Sequence, residues 1–185
     1  MVKLRMRLDV VVRNARGKVT FRGHKTVRSY VLAMDDLLYV QMANQTQVIP
    51  DIGNTPRSIS ADAQALRCTA GVGVTTSGTR LGTGTNAVAI TDYALQTAIA
   101  QGSGAGQLMH SNESYTAPVT VGSSRQFTLA RVFTNKSGGN ITVHEVGLYG
   151  LGGPGNSFCL ERTLYDFTIN NGSSATVTYT IGVTV

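Results

Sequence analysis

The side chains able to do chemistry in this chain are few and widely separated. His24, His110 and His144 stand in unrelated contexts, and no His-x-His, His-x3-His or Cys-x2-Cys spacing occurs. Those spacings let neighbouring residues reach one metal ion, so neither a metal centre nor another cofactor is expected. Cys68 and Cys159 are distant, and the N-terminus lacks the continuous apolar stretch of a secretion signal. They read as free, buried thiols rather than a disulfide. No Gly-x-Ser-x-Gly elbow is present, and no motif ties a serine or cysteine to a histidine. Glycoside cleavage needs two carboxylates flanking one bond. Asp35 and Asp36 are adjacent but fall on the solvent side of a helical pattern, while Glu145, Glu161 and Asp166 are dispersed in strand patterns. All five read as ordinary surface or capping groups. Gly82–Gly84 and Gly102-x-Gly104-x-Gly106 lack the following Gly-Lys-Ser/Thr, or the strand and helix, that a phosphate site requires. They read as turn glycines, and enzymatic activity is not expected.

The strongest remaining signal is charge. Nine of the sixteen basic residues lie in the first 28, opposed only by Asp9, so that segment is +8 and the rest of the chain is −2. Within it, Lys3, Arg5 and Arg7 alternate with apolar residues. Alternate residues of a strand are about 6.5–7 Å apart, so these three form a positive row beside an apolar face. Arg13, Arg16 and Lys18 continue the basic segment. These six are the candidate partner-binding residues. A row of this kind fits an acidic protein surface or a phosphate backbone. No aromatic residue interleaves before Phe21 and Tyr30, and tryptophan is absent, which disfavours base stacking. An acidic protein partner or assembly contact is therefore the leading expectation, a simple solvated face the next and nucleic acid the least.

The elements carrying these residues are mostly strands. Val2, Leu4, Met6, Leu8, Val10 and Val12 fall on one side of a period-two pattern. Asn14–Gly17 reads as a turn and Lys18–Phe21 as a return strand. Ser29–Met42 predicts the one convincing helix, with Tyr30, Val31, Met34, Leu37, Leu38 and Gln41 as its apolar stripe and Ser29 as N-cap. Pro50, Gly53-Asn54 and Pro56 break residues 43–66 into loop or short edge strands. From there the pattern is β: Cys68–Thr75, then about 107–110, 116–120, 125–134, 141–149, 157–168 and 175–185. Thr91-Asp92 is placed to cap a helical turn through Leu95, and Ser137–Asn140 predicts a hairpin loop. Alternation puts Thr142, His144 and Val146 on one face, and Ile141, Val143 and Glu145 on the other.

Many short strands with frequent turns predict a mainly β fold, a β-sandwich or jelly-roll-like body with one short helix near the N-terminus and a basic N-terminal strand or arm. At 185 residues this is one domain. It divides into a basic strand or arm (1–28), a helix and long loop (29–66) and a β-sandwich body (67–185). Only 14% of residues are charged, against roughly 25% in a typical domain. Glycine, threonine, serine and asparagine fill the gap. Such a surface costs little to desolvate and suits packing against other subunits. No run of 18 apolar residues occurs, so no membrane-spanning helix is expected. The Asn-x-Ser/Thr triplets at Asn44, Asn112, Asn135, Asn140 and Asn171 read as chance.

Three segments carry a family resemblance: GTGT-x-A-x4-D-x2-L, matched by Gly82, Gly84, Asp92 and Leu95; R-x-FTN-x-SGG-x-ITV-x-EVGLY, matched by Arg131–Tyr149; and TVTYTI, at Thr176–Ile181. Together they resemble structural proteins of tailed bacteriophages. The likeness covers about the C-terminal 60% of the chain. It implies a β-sandwich virion subunit present in several copies, in the tail, adaptor or fibre base or on the capsid surface, with no catalytic residues. Its implied partners are copies of itself and other virion proteins with acidic surfaces, and no membrane. The alternatives are a carbohydrate- or receptor-binding module of the particle, or a basic nucleic-acid-binding protein.

Overall fold

The computed structural model describes residues 3–184, with side chains from Arg5 onward. Val2, Val185 and the side chains of Lys3 and Leu4 lie outside what is described. The protein is mainly β, with antiparallel sheets and one short helix.

The strands are β1 (Lys3–Arg13), β2 (Val19–Val27), β3 (Gln47–Pro50), β4 (Pro56–Ile59), β5 (Gly78–Gly82), β6 (Met109–Val121), β7 (Ser124–Thr134), β8 (Ile141–Gly153), β9 (Asn156–Ile169) and β10 (Ser174–Thr184). They form a five-stranded sheet in the order β2-β1-β10-β7-β6, a three-stranded sheet β5-β8-β9 and a two-stranded hairpin β3-β4. The inner faces of the two larger sheets share one apolar core. Met6, Leu8, Val10 and Val12 of β1, with Val177 and Tyr179 of β10, meet Val143, Val146, Leu148 and Phe167 of the smaller sheet.

The period-two reading of the first strand holds from Met6 to Val12, whose even residues are all buried. Asn14 closes the turn, its Oδ1 accepting the backbone N–H groups of Arg16 and Lys18. The return strand runs on to Val27. The basic segment is thus a hairpin built into the large sheet, with β1 paired along its length to the C-terminal β10.

Several expectations are corrected. The helix α1 is Leu32–Ala43, and its N-cap is Val31, which makes no side-chain cap. Ser29 does not cap it: its carbonyl accepts the Arg162 N–H, because residues 29–31 run along the edge of β9. The buried stripe of α1 is Ala33, Leu37 and Val40, which packs on Phe158, Leu160, Ile49 and Ile59. Cys68–Thr75 is not a strand but an irregular segment over the large sheet, held by Arg131. Gly78–Gly82 is a fully buried strand, so Gly82 is not a turn glycine. Thr91-Asp92 forms a turn without a helix. The strands expected near 107–110 and 116–120 are one strand, β6, interrupted by two register shifts.

Ser137–Asn140 is not a hairpin loop either. It carries the chain from β7 in one sheet to β8 in the other. Buried Asn135 holds the crossing: its Nδ2 donates to the Gly139 and Ile169 carbonyls, and its Oδ1 accepts from Ser137. A bulge between Val143 and Glu145 then shifts the phase of β8. Ile141 and Val143 before it, and Val146 and Leu148 after it, face the same core. Val146 therefore joins Ile141 and Val143, not Thr142 and His144, and Glu145 and Tyr149 turn to the outer side.

Candidate functional site

The Gly82–Leu95 segment and β8 are physically one unit. Outside β8, residues 83–98 form a strap across the small sheet, tied to it by the Glu145 carboxylate. Oε1 accepts the backbone N–H groups of Gly84 (3.1 Å) and Thr97 (2.8 Å). Oε2 accepts Gln96 N–H (3.1 Å) and Arg162 Nε (2.7 Å). Arg162 continues outward, donating to Asp92 Oδ2 at 2.8 Å and to the Asn86 carbonyl at 3.0 Å. Tyr149 Oη accepts Leu95 N–H at 2.7 Å, and buried Leu95 packs over Gly147. Burial opposes the charge on Arg162, but Glu145 and Asp92 outweigh it and hold its pKa above the usual value.

Arg131 makes a second unit. Its guanidinium is buried and donates to the carbonyls of Ser111 (2.9 Å), Thr79 (3.0 Å), Gly71 (3.1 Å) and Val74 (2.7 Å). Nearby, the buried Glu113 carboxylate accepts the backbone N–H and hydroxyl of Thr79. Gly78 is required here: its backbone is left-handed (φ 76°), and a Cβ would stand 2.5 Å from Glu113. His110 lies beside them with its ring edge-on to Phe133, and burial, then Arg131 and Arg80, depress its pKa to about 3. His110 is thus neutral, a core residue.

A third linkage crosses the core. Tyr179 of β10 donates to Glu161 of β9 at 2.7 Å, joining the two sheets. Burial pushes the Glu161 carboxyl up to about 8 from its ordinary 4.5, against the opposing pull of Tyr179, Lys25 and Arg162. Between those values the folded protein keeps a proton that the unfolded chain has released. Stability therefore falls as pH rises across that window, by as much as about 1.4 kcal/mol per pH unit, and levels off above it. Glu161→Gln has no such proton to lose. Urea-unfolding free energies measured at intervals from weak acid to weak alkali should decline more steeply for the wild type than for the variant. Equal slopes would mean that Glu161 is already ionised in the folded protein.

These findings correct the view of Glu145 and Glu161 as surface or capping groups, since both have no exposed surface. Asp166 is exposed and accepts from, or pairs with, His144 Nδ1 at 2.8 Å, and Asp35 is also exposed. Cys159 is buried and Cys68 half-buried. Burial pushes the Cys68 thiol up to about 12, which leaves it unreactive as a nucleophile. Among the described residues no group of three or more His, Cys, Asp or Glu is arranged to hold a metal ion, and no helix is long and apolar enough to cross a membrane.

Of the six basic candidates, Arg5, Arg7 and Arg13 project from the outer face of the large sheet, opposite to buried Met6, Leu8 and Val12. Arg7 pairs with Asp9 at 2.6 Å, and Arg13 donates to the Gly17 carbonyl at the turn that also carries Arg16 and Lys18. Lys3 is placed at the start of the same strand. Arg22, opposite Val11, adds to this face, whereas Lys25 turns inward and donates to the Leu164 carbonyl.

On the inner side the large sheet outruns its cover. A cavity of about 350 Å³ opens between Met6, Phe127, Leu129 and Ile181 of that sheet and Met34, Leu148 and Leu160 opposite. Tyr115 stands at its rim, 48% exposed. Val183, on the next inward position of β10, is 44% exposed.

Fold and linkages together define an antiparallel β-protein whose two larger sheets share a core and whose interior ionisable groups anchor loops and join sheets. Comparison with protein-family models, curated proteins and solved structures finds no match to this chain.

Proposed function

We propose that this chain is a non-enzymatic structural subunit that acts in several copies, of the tailed-phage virion type its motifs resemble. The observation that carries this reading is the uncovered apolar end of the sandwich. Inward-facing Tyr115 and Val183 are about half exposed, and Phe127 and Ile181 face Leu148 and Leu160 of the second sheet only across the cavity. An apolar patch of this kind on a soluble protein marks a contact surface, and a sister subunit supplies the missing cover. Two further features agree with it. The large sheet's open edges are blunted, β2 by Arg22, His24 and Lys25 and β6 by Pro118 beside a register shift. Such devices oppose uncontrolled strand addition and leave packing of faces as the mode of contact. The buried charges are also committed to cross-links, as a rigid building block requires.

Sedimentation of the purified chain tests this reading. The wild type should form a defined oligomer, and Tyr115→Glu/Val183→Glu should sediment as a monomer with an unchanged circular-dichroism spectrum. Both positions are half exposed, so the substitutions are tolerable within one subunit. A wild type that remains monomeric at high concentration, or an oligomer indifferent to both charges, would overturn it.

A further inference from the structure

The pairing of the first strand with the last creates a feature on the outer face of the large sheet. Along β10 the outward positions read Thr176, Thr178, Thr180, Gly182 and Thr184, so glycine interrupts a row of threonines. A Cβ at Gly182 would come within 2.8 Å of the Arg125 carbonyl, so the close approach of β7 demands the glycine. Beside it lies a dent of about 230 Å³.

The register decides what surrounds it. Arg5 lies directly across from Gly182 on one side and Gln126 on the other. In the next row Thr26, Arg7 and Thr180 stand side by side. All of these line the dent. Arg5, Thr26, Thr180 and Gln126 make no side-chain hydrogen bond to another described group of the protein. Arg7 gives Nε and one terminal nitrogen to Asp9, leaving the other nitrogen open. That pair is exposed, 54% and 32%, and exposed pairs are weak, so Arg7 can share an incoming anion. Asp9 is the only carboxylate on β1, β2, β7 and β10. The dent thus gathers two guanidinium groups, two hydroxyls and an amide, all able to donate, with a single partly neutralised acid nearby.

We propose that this dent is an oxyanion site that takes a carboxylate side chain from an acidic protein partner. Guanidinium groups bind carboxylates through paired, charge-assisted hydrogen bonds, and the hydroxyls complete the shell. The volume suits one side chain. Phosphate-backbone binding draws on many cations spread along a track, whereas the dent itself is lined by only two guanidinium groups, those of Arg5 and Arg7. The outer face around the dent also has no Phe, Tyr or Trp for stacking, its one ring being the imidazole of His24 opposite Asp9. The proposal adds a partner's chemistry to the structural-subunit reading. It concerns the opposite face from the apolar patch, so the two can fail separately.

The test is fluorescence anisotropy of a labelled oligo-glutamate peptide with the full chain at low salt. Arg5→Gln/Arg7→Gln should weaken binding by about tenfold or more, the scale of lost hydrogen bonds to a charged group. Arg13→Gln/Arg16→Gln removes the same charge at the turn and should weaken it less than about threefold, as expected of screened, distant charges. Thr180→Val keeps shape and charge and should still weaken binding severalfold. No peptide binding, equal losses from the two double variants, or no loss in Thr180→Val would each overturn the proposal. Tighter binding of a single-stranded DNA oligonucleotide through Arg5 and Arg7 would overturn it in favour of a nucleic acid. Sedimentation of the same variants reports self-association independently: oligomers that persist in Arg5→Gln/Arg7→Gln confine a binding loss to the dent.

Discussion

Replacing Arg131 by methionine is expected to remove on the order of 4–5 kcal/mol of stability, an exceptional value for one substitution. Methionine keeps most of the side-chain length and apolar bulk, so the loss is not mainly one of packing. It arises from four backbone carbonyls, of Ser111, Thr79, Gly71 and Val74, that lose a buried donor together, the exposed Gly71 keeping the Val74 N–H as a second partner. Each unsatisfied buried polar group costs about 1–3 kcal/mol, with partial relief where water enters. Glu113 also loses its neighbouring cation, which now offsets part of the burial that raises its pKa. Residues 68–75 are tied to β6 by only two backbone hydrogen bonds, Gly73 N–H to the His110 carbonyl and Glu113 N–H to the Ala70 carbonyl, and should come loose first. Urea unfolding checks the magnitude, and amide hydrogen exchange checks the place: protection should vanish over 68–75 before it does in β7 or β10. Arg131→Lys should fall between, since an ammonium keeps the charge without the planar fork that serves several carbonyls at once. A methionine variant within about 1 kcal/mol of wild type would mean that those carbonyls are hydrated in the folded protein.

Arg162→Met is expected to cost about 3–5 kcal/mol, the penalty for leaving one half of a buried ion pair. Glu145 has no exposed surface and would keep three backbone donors but lose its countercharge. Asp92 and the Asn86 carbonyl would lose their partner too, so the strap would loosen around residues 86–92 while Glu145 still held Gly84, Gln96 and Thr97. Glu145→Gln should be destabilising by itself, because Arg162 then becomes the uncompensated charge. In the double variant neither charge is stranded. The loss should therefore be smaller than the sum of the single losses, with a coupling of about 0.5–3 kcal/mol in a double-mutant cycle. Additive losses would show that the two side chains support the strap separately. Because the pair is buried, added salt should change these values little, in contrast to the exposed Arg7–Asp9 pair.

Local pattern made much of the architecture legible. The alternation of Met6, Leu8, Val10 and Val12 needs only a strand with one buried face. The Asn14–Gly17 turn needs only its own side chains, and the helix is visible through residues close in sequence. The separation of the basic row from the apolar face follows from the same period of two. Errors appear where the decisive partner is distant. Nothing near Ser137–Asn140 tells a hairpin from a crossing between sheets, because both need a tight polar turn. The bulge before Glu145 reverses the outward side of β8, so period-two reasoning carried through it assigns Val146 and Glu145 to the wrong neighbours. Ser29 is well suited to cap a helix, but pairing of residues 29–31 with the β9 edge delays the helix to Leu32.

The candidate sites divide in the same way. Arg5 and Arg7 were visible as basic residues on an amphipathic strand, and the glycine in the Thr-x-Thr-x-Thr-x-Gly run of the final strand was visible as an interruption. That the two features meet depends on an antiparallel register joining Arg5 to Gly182 across almost the whole chain. Glu145 reaches Gly84 across 61 positions and Arg162 reaches Asp92 across 70, so their burial had no local signature. Composition and periodicity by themselves determined a mainly β protein, poor in charge, with a cationic leading strand, because those properties are sums over neighbours. Only the tertiary structure decided which charges are spent inside, which remain outside, and where apolar surface is left without a cover. Those outcomes depend on which distant strands lie side by side, and hydrogen-bonded pairing, not nearness in the chain, sets that.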